Sequence, residues 1–244
     1  MTTAPAAEQR KLLEIQALDT RLDQLAHRRS SLGVHARLAE IAARAATAHD
    51  ELVRARTAQS DVRRELAKAE QDVEQVRARA RRDQERLDAG VGSAKDMQAL
   101  QSELQALARR QAELEEVELE VMERLETLDA QVAELEATSR AIAEEQAAAE
   151  AERDAALAEI DVEAATVRSA RETEAAQVSA ELLALYERLR AQNGGVGAAA
   201  LRGRRCEGCR LDLNPVDLNV VRSAPEDAVV RCEECGRILV RLEA

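Results

Sequence analysis

The sequence predicts a mainly α-helical protein, built as a long antiparallel coiled-coil helical hairpin followed by a small C-terminal β domain. Three observations predict this class. The chain of 244 residues is 34% charged and 45% apolar, yet it has one tyrosine and no Phe or Trp. Its apolar residues recur at spacings of three and four over most of the length. Its four cysteines form two Cys-x-x-Cys pairs near the end.

The composition excludes a large globular core. Ala, Leu and Val at this charge density, with helical periodicity, are typical of coiled coils. Aromatic side chains normally supply the bulky part of a globular core, because each buries roughly 150–250 Å². Their near absence favours a thin core between paired helices.

The first predicted element is a separate N-terminal helix over about residues 6–29. Its apolar positions follow helical spacing: Leu12, Ile15, Leu18, Leu22 and Leu25. A break is expected at residues 30–33, because Ser30 and Ser31 compete for backbone hydrogen bonds and Gly33 costs about 1 kcal/mol inside a helix. A single continuous helix that tolerates the glycine is the alternative.

Two long arms follow, and together with the first helix they form a predicted hairpin domain over residues 1–193. The first apolar seam runs from Leu38 to Leu87, and the second runs from Leu100 to Leu189. The short segment 89–93 between them contains two glycines and a serine that can cap the next helix, so the arms must fold back antiparallel. The Asn-Gly-Gly sequence at 193–195 predicts the end of the second arm.

The remaining residues, 194–244, form the predicted β domain. Short β-like runs cover 196–201, 229–231 and 237–242. Asn214 and Pro215 predict a helix N-cap and first helical position, with the helix continuing through Val221. A turn is expected at 223–227.

The four cysteines predict one structural Zn²⁺ site with the ligands Cys206, Cys209, Cys232 and Cys235. The 22 intervening residues compare well with the zinc-site spacing Cys-x₂-Cys-x₁₅₋₂₀-Cys-x₂-Cys, once a short helical insertion is allowed for. A thioredoxin-like redox site uses one Cys-x-x-Cys pair and would leave the second pair unexplained. An iron–sulfur cluster can use four cysteines, but their spacing here differs from the ferredoxin patterns. With four protein ligands no coordination position is open, so the metal is expected to be structural.

Charge is distributed unevenly along the chain. Residues 94–193 carry 24 acidic and 10 basic side chains, and this segment should repel nucleic acid. Around the first cysteine pair, by contrast, lie four arginines: Arg202, Arg204, Arg205 and Arg210. They are candidates for contacting phosphate or a partner, or for offsetting the negative charge of a zinc tetrathiolate. A second basic run at 77–82, near the hairpin tip, is either a further candidate contact surface or faces the acidic second arm.

No sequence feature predicts an enzyme, a small-molecule substrate or a membrane protein. The three histidines lack the spacing that places two imidazoles on one helix face, and no Gly-rich phosphate loop is present. No apolar run approaches the ~18–20 residues of a membrane span, and residues 1–10 do not have the pattern of a signal peptide. A cytoplasmic location is therefore expected.

Three stretches resemble a family of bacterial proteins that have an antiparallel coiled-coil hairpin followed by a C4-type zinc ribbon. They are KDMQALQSEL at 95–104, YERLR at 186–190 and CEGC…CEECGRIL at 206–239. The resemblance implies a zinc ribbon with the four cysteines as ligands, and a non-enzymatic role. Some members act as adaptors or chaperones for the alternative sigma factor and for flagellar or secretion components, and RNA binding is attributed to others. This chain has Val240 where members often have an aromatic residue.

The expected function is therefore that of a zinc-binding adaptor, which presents its coiled-coil hairpin and zinc ribbon to protein partners. The alternative is a protein that binds RNA or DNA through the arginine-rich ribbon. The lack of aromatic side chains removes base stacking, a main source of affinity for single strands. The Ala-, Arg- and Glu-rich composition is typical of a high-GC bacterium, and the resemblance does not identify the partner.

Overall fold

The computed structural model describes residues 2–242 and confirms the mainly α-helical class, a long helical hairpin followed by a small strand region. Five helices and four short strands follow one another along the chain. The helices are α1 (Ala6–Ser30), α2 (Gly33–Asp88), α3 (Ala94–Ala175), α4 (Ala180–Gln192) and α5 (Pro215–Ser223). The strands are β1 (Ala198–Arg202), β2 (Arg205–Cys206), β3 (Val230–Arg231) and β4 (Ile238–Arg241). None of the helices in the described part is long and apolar enough to cross a membrane.

Two residues, Ser31 and Leu32, separate α1 from α2. The hydroxyls of Ser30 and Ser31 donate to the carbonyl oxygen of His27 at 2.9 and 2.8 Å. The Ser31 backbone N–H donates to the same carbonyl at 2.9 Å, so three donors meet on His27 O in the last turn of α1.

The antiparallel pairing of α2 with α3 follows a heptad repeat. Buried side chains recur every seven residues along α2 at Val34, Ile41, Ala48, Ala55, Val62 and Ala69. Ion pairs cross between the two helices beside this seam: Arg44–Glu145, Arg56–Glu136, Arg63–Asp129, Glu65–Arg124 and Arg77–Glu115. At the turn, the Ser93 hydroxyl accepts from the Asp96 backbone N–H, and the Asp96 carboxylate accepts from the Ser93 backbone N–H.

The second arm is not one helix. We expected it to continue to residue 193, but α3 ends at Ala175 and α4 begins at Ala180. In the turn between them, the Ser179 backbone N–H donates to a Glu8 carboxylate oxygen at 2.8 Å, and Val178 is buried. The turn lets Val178 and α4 pack on α1, which a straight helix would not do.

The chain forms two compact units. One holds the chain up to Ala36 together with the segment from Ala151 onward, and the other holds Arg37–Glu150. These boundaries differ from the sequence-based ones at 193 and 194, because α1 and α4 share a core with the strands. That core contains Leu12, Ile15, Val178, Leu182, Tyr186, Leu189, Ile238 and Val240.

The strands form one sheet in the order β2-β1-β4-β3. The central pair, β1 and β4, is parallel, whereas β2 and β3 pair antiparallel at the edges. Residues 2–4 add to the sheet region, where Ala4 N–H donates to Asp227 O at 2.8 Å and Val229 N–H donates to Thr2 O at 3.2 Å. The sheet thus carries both cysteine pairs, and hydrogen bonds join the sheet region to the residues that precede α1.

Candidate metal centre

The two Cys-x-x-Cys turns have the same backbone hydrogen bonds. The carbonyl oxygen of Cys206 accepts from Arg210 N–H at 2.8 Å, and that of Cys232 accepts from Gly236 N–H at 2.7 Å. The N–H groups of Cys206 and Cys232 donate to the carbonyls of Leu211 and Arg237. Each turn therefore aims its two sulfurs in the same manner, and the parallel β1–β4 pair brings the turns together.

The four cysteine sulfurs lie within 4.8 Å of one another. Between the turns, Cys206 Sγ is 3.9 Å from Cys235 Sγ, and Cys209 Sγ is 4.0 Å from Cys232 Sγ. A tetrahedron of sulfurs with Zn–S near 2.3 Å has edges of about 3.8 Å. The donor set and its spacing thus fit one Zn²⁺ with four protein ligands.

Burial and hydrogen bonds together shift the pKa values of Cys206, Cys232 and Cys235. Burial raises the pKa of Cys206, and it raises the pKa of Cys232 to about 12, although backbone N–H groups within each turn oppose this. Burial also acts on Cys235, but there the backbone N–H and guanidinium of Arg237 prevail and lower the pKa to about 7. Zn²⁺ binding would hold all four groups as thiolates and displace their protons.

Arg237 is the cation beside the sulfur cluster. Its guanidinium stabilises the Cys235 thiolate and also donates to the carbonyls of Val196 and Asn193, at 3.1 and 2.9 Å. A Cβ added at Gly208 would lie 2.7 Å from Arg237 Cδ and 2.9 Å from Ala199 Cβ. Gly208 therefore leaves room for Arg237 to connect the second turn to the end of α4.

A small apolar core supports the centre. It contains the buried cysteines Cys206 and Cys232 with Ala199, Leu201, Leu213, Val221 and Leu239. The helix α5 supplies Val221, and its N-terminus is capped by the Asn214 side chain, which accepts from Val216 N–H and Asp217 N–H at 2.9 Å. The insertion between the cysteine pairs thus closes one side of the core.

The four predicted arginines lie around the first turn and are exposed. Arg204 pairs with Asp212 at 2.9 Å. The side chains of Arg202, Arg205 and Arg210 make no hydrogen bond or ion pair with any residue in the range 2–242. Arg237, which no sequence pattern singled out, is the arginine whose guanidinium hydrogen-bonds a cysteine sulfur, that of Cys235.

A buried polar network joins α1 and α4 to the start of the sheet. The Tyr186 hydroxyl donates to Asp19 Oδ2 at 2.7 Å, and Gln16 Oε1 accepts from Gly197 N–H at 2.7 Å. Asp19 also accepts from Arg171 Nε at 2.6 Å. The sequence contains one signal for this network, because Gln16 and Asp19 occupy positions of α1 that its apolar periodicity assigns to the buried face. A polar side chain on a buried face needs a hydrogen-bond partner.

Two families match the chain in sequence. The family described as the CT398-like coiled coil hairpin domain matches residues 15–194. The family described as the C4-type zinc ribbon domain matches residues 205–239. With the clustered sulfurs, the second match confirms the prediction of one structural Zn²⁺ held by four cysteines.

Relatives of similar length occur in mycobacteria. The uncharacterised protein Rv2229c of Mycobacterium tuberculosis is 41% identical over 240 residues, which cover 98% of each chain. The uncharacterised protein ML1638 of Mycobacterium leprae is 33% identical, with 91% of this chain and 95% of that protein covered. These matches span the hairpin and the ribbon together.

Solved structures share the architecture. A Mycobacterium smegmatis protein is 37% identical with a TM-score of 0.86, covering 98% of this chain and 100% of that one. CT398 from Chlamydia trachomatis is 22% identical with a TM-score of 0.68, covering 97% and 98%. At 22% identity the second likeness shows the fold alone.

Proposed function

The chain belongs to the CT398-like coiled-coil hairpin family, and on that basis we propose that it is a non-enzymatic adaptor whose hairpin binds protein partners. In this adaptor the zinc ribbon stabilises the compact unit that contains α1, α4 and the sheet. With four sulfur ligands the metal keeps no open position for a substrate or an activated water, so its role is structural. Free, reduced cysteines persist in a reducing compartment, and we therefore propose a cytoplasmic location.

The observation that carries the proposal is the set of apolar side chains left in solvent along α2 and α3. Among them, Val53, Leu119 and Met122 are 47–59% exposed. A coiled-coil hairpin satisfies itself through its inner seam, so large apolar groups on its outer surface favour a partner that covers them.

Crosslinking in the native cell tests the proposal. A photoreactive amino acid at Leu119, and a second one at Val53, should each give a discrete crosslink to a protein. The same photoreactive amino acid at Lys68, an exposed charged position of α2, is the control and should give no such crosslink. If no hairpin position crosslinks to any protein, the adaptor proposal is wrong.

The unpartnered arginines favour a second candidate function, binding of RNA or DNA phosphates by the ribbon. Arg210 supports it further, because it occupies a left-handed conformation (φ 61°) where the matching residue of the second turn is Gly236 (φ 72°). A side chain at a position that favours glycine is more easily explained if the side chain contacts a ligand.

Salt dependence and one glycine variant test this candidate. Binding should weaken steeply as the salt concentration rises. Replacing Arg202, Arg205 and Arg210 with glutamine should lower the number of phosphate contacts, read from the slope of log K against log[salt], by about three. Arg210→Gly should lower affinity while leaving the fold intact, because it relieves the left-handed strain. If RNA and DNA both fail to bind at low salt, this candidate is excluded.

A further inference from the structure

We propose that the outer face of α3 around Leu119 and Met122, here called the acidic face, binds a basic amphipathic helix of a partner protein. This inference rests on the proposed adaptor function and names the partner class. All residues of the acidic face belong to the compact unit formed by Arg37–Glu150.

The apolar centre of the acidic face consists of two neighbouring side chains. Leu119 is 59% exposed and Met122 is 47% exposed. Residues three apart on a helix are neighbours, so the two form one continuous apolar spot. Val121 lies on the other side of α3 and is buried in the seam. Leu119 and Met122 therefore lie outside the hairpin core.

The charge around this spot is strongly negative. Residues 111–136 contain ten acidic side chains and one basic side chain, Arg124, in a protein whose net charge is −12. Some of these acids pair with α2, as Glu115 does with Arg77. Four others form no ion pair within the described part of the chain: Glu116, Glu120, Glu123 and Glu126. Unpaired carboxylates beside an apolar spot attract a basic partner and repel an acidic one.

The spacing of the acidic face matches a helix as the bound element. Exposed alanines extend the apolar spot in both directions at helical spacing: Ala112, Ala130 and Ala133. From residue 112 to residue 133 the face is about 32 Å long, which a helix of about twenty residues would cover. Small residues at the ends permit close approach of a second backbone, and Leu119 and Met122 supply the apolar anchors in the middle.

A second copy of this chain is a poorer occupant. The acidic face of one copy would meet the same glutamates on the other, and like charges across an interface are unfavourable. A helix with Lys and Arg flanking Leu or Met at spacings of three and four satisfies both the charge and the apolar spot.

The test uses the full-length, zinc-loaded protein and a synthetic helical peptide of Lys, Leu and Ala with that spacing, followed by fluorescence anisotropy. Leu119→Gln combined with Met122→Gln should weaken binding at least about tenfold. Val53→Gln changes an equally exposed apolar residue on α2 and should leave the affinity unchanged. Equal helicity and zinc content of the variants show that the fold is intact.

A charge series completes the test. Neutralising Glu116, Glu120 and Glu123 with glutamine should weaken binding and flatten its salt dependence. The control variant removes three charges from α2 in the same unit, through Glu40→Gln, Asp50→Asn and Glu51→Gln. The two triple variants have the same net charge, so only a specific site distinguishes them.

Four outcomes would overturn the proposal. They are equal weakening by the two triple variants, equal binding of a peptide with Glu in place of Lys, absence of saturable binding, and self-association in sedimentation that the Leu119 and Met122 changes abolish. The last outcome would make a second copy the occupant. If the peptide test fails while other hairpin positions still crosslink to a protein in cells, the adaptor function stands and only the acidic face is wrong.

Discussion

Gly197 directly precedes β1 and lies against Tyr186 of α4. A Cβ added there would lie 2.6 Å from the Tyr186 carbonyl oxygen and 2.8 Å from Tyr186 Cδ2. Neither contact can be relieved by turning a flexible side chain, because one atom is backbone and the ring is fully buried. The position requires glycine for close approach, whatever its backbone angles.

Gly197→Ala should therefore lower the free energy of unfolding by about 2–3 kcal/mol, the cost of overpacking a rigid core. Gly33→Ala is the matched control, because Gly33 begins α2 and a Cβ added there would have no atom within 4 Å. There alanine should be neutral or stabilising by up to about 1 kcal/mol. Urea denaturation of both variants measures the difference, and equal effects would contradict the close contact of Gly197 with Tyr186.

Tyr186 gives a pH-dependent prediction. Burial, followed by its hydrogen bond to the Asp19 carboxylate, raises the pKa of the phenol well above its usual value of 10.0. A raised pKa in the folded state means that this stabilisation is complete below pH 10 and is lost as the pH rises above it. Because Tyr186 is the sole tyrosine, tyrosinate absorbance reports it alone.

Native protein should therefore develop tyrosinate absorbance only at a pH clearly above 10, whereas protein in denaturant should titrate near 10. Asp19→Asn removes the carboxylate and should move the native titration back toward the denatured one. An unchanged titration in that variant would show that burial alone sets the pKa.

At the scale of elements, the ribbon is too small to hold itself by apolar burial. Its strands have two to five residues, and its own core contains only a few branched side chains. Domains of this size normally need a metal or disulfides. The four cysteines are free thiols within metal-ligand distance, so zinc supplies the missing stability.

Cys206→Ser should thus reduce zinc from about one ion per chain to a small fraction, and the ribbon should lose its structure. Elemental analysis gives the zinc content, and protease cleavage between residues 200 and 240 reports the loss of structure. Leu211→Ser, an exposed change in the same turn, is the control and should keep the zinc. A metal-free protein with an intact ribbon would contradict this role of the metal.

The helices and the zinc ligands could be predicted because their signals are local. The heptad spacing, the cysteine spacing and the Asn214 cap each depend on a few neighbouring residues. The turn at 176–179 could not be predicted, because that segment has no glycine or proline and the turn is stabilised by Glu8, 171 residues away. The contact of Arg237 with the end of α4 is likewise tertiary, as is the Gln16 contact with Gly197.

At the scale of the whole molecule, the two compact units depend on different interactions. The unit of Arg37–Glu150 is stabilised along its length by small buried side chains such as Ala48 and Ala55. Its cross-helix ion pairs are exposed, and exposed pairs contribute about 0–1 kcal/mol each. The other unit depends on the zinc ribbon, on the core around Tyr186 and on the buried Gln16 and Asp19.

Zinc removal should therefore act on one unit and spare the other. After chelation, amide hydrogen exchange should accelerate in β1, β4 and α5, and to a lesser degree in α1 and α4, which share the core with the sheet. Amides of α2 and α3 between residues 37 and 150 should keep their protection, because their seam contains no metal ligand. Exchange followed by mass spectrometry, with and without added zinc, measures each segment. Loss of protection across 37–150 on chelation would show that the hairpin, too, depends on the metal.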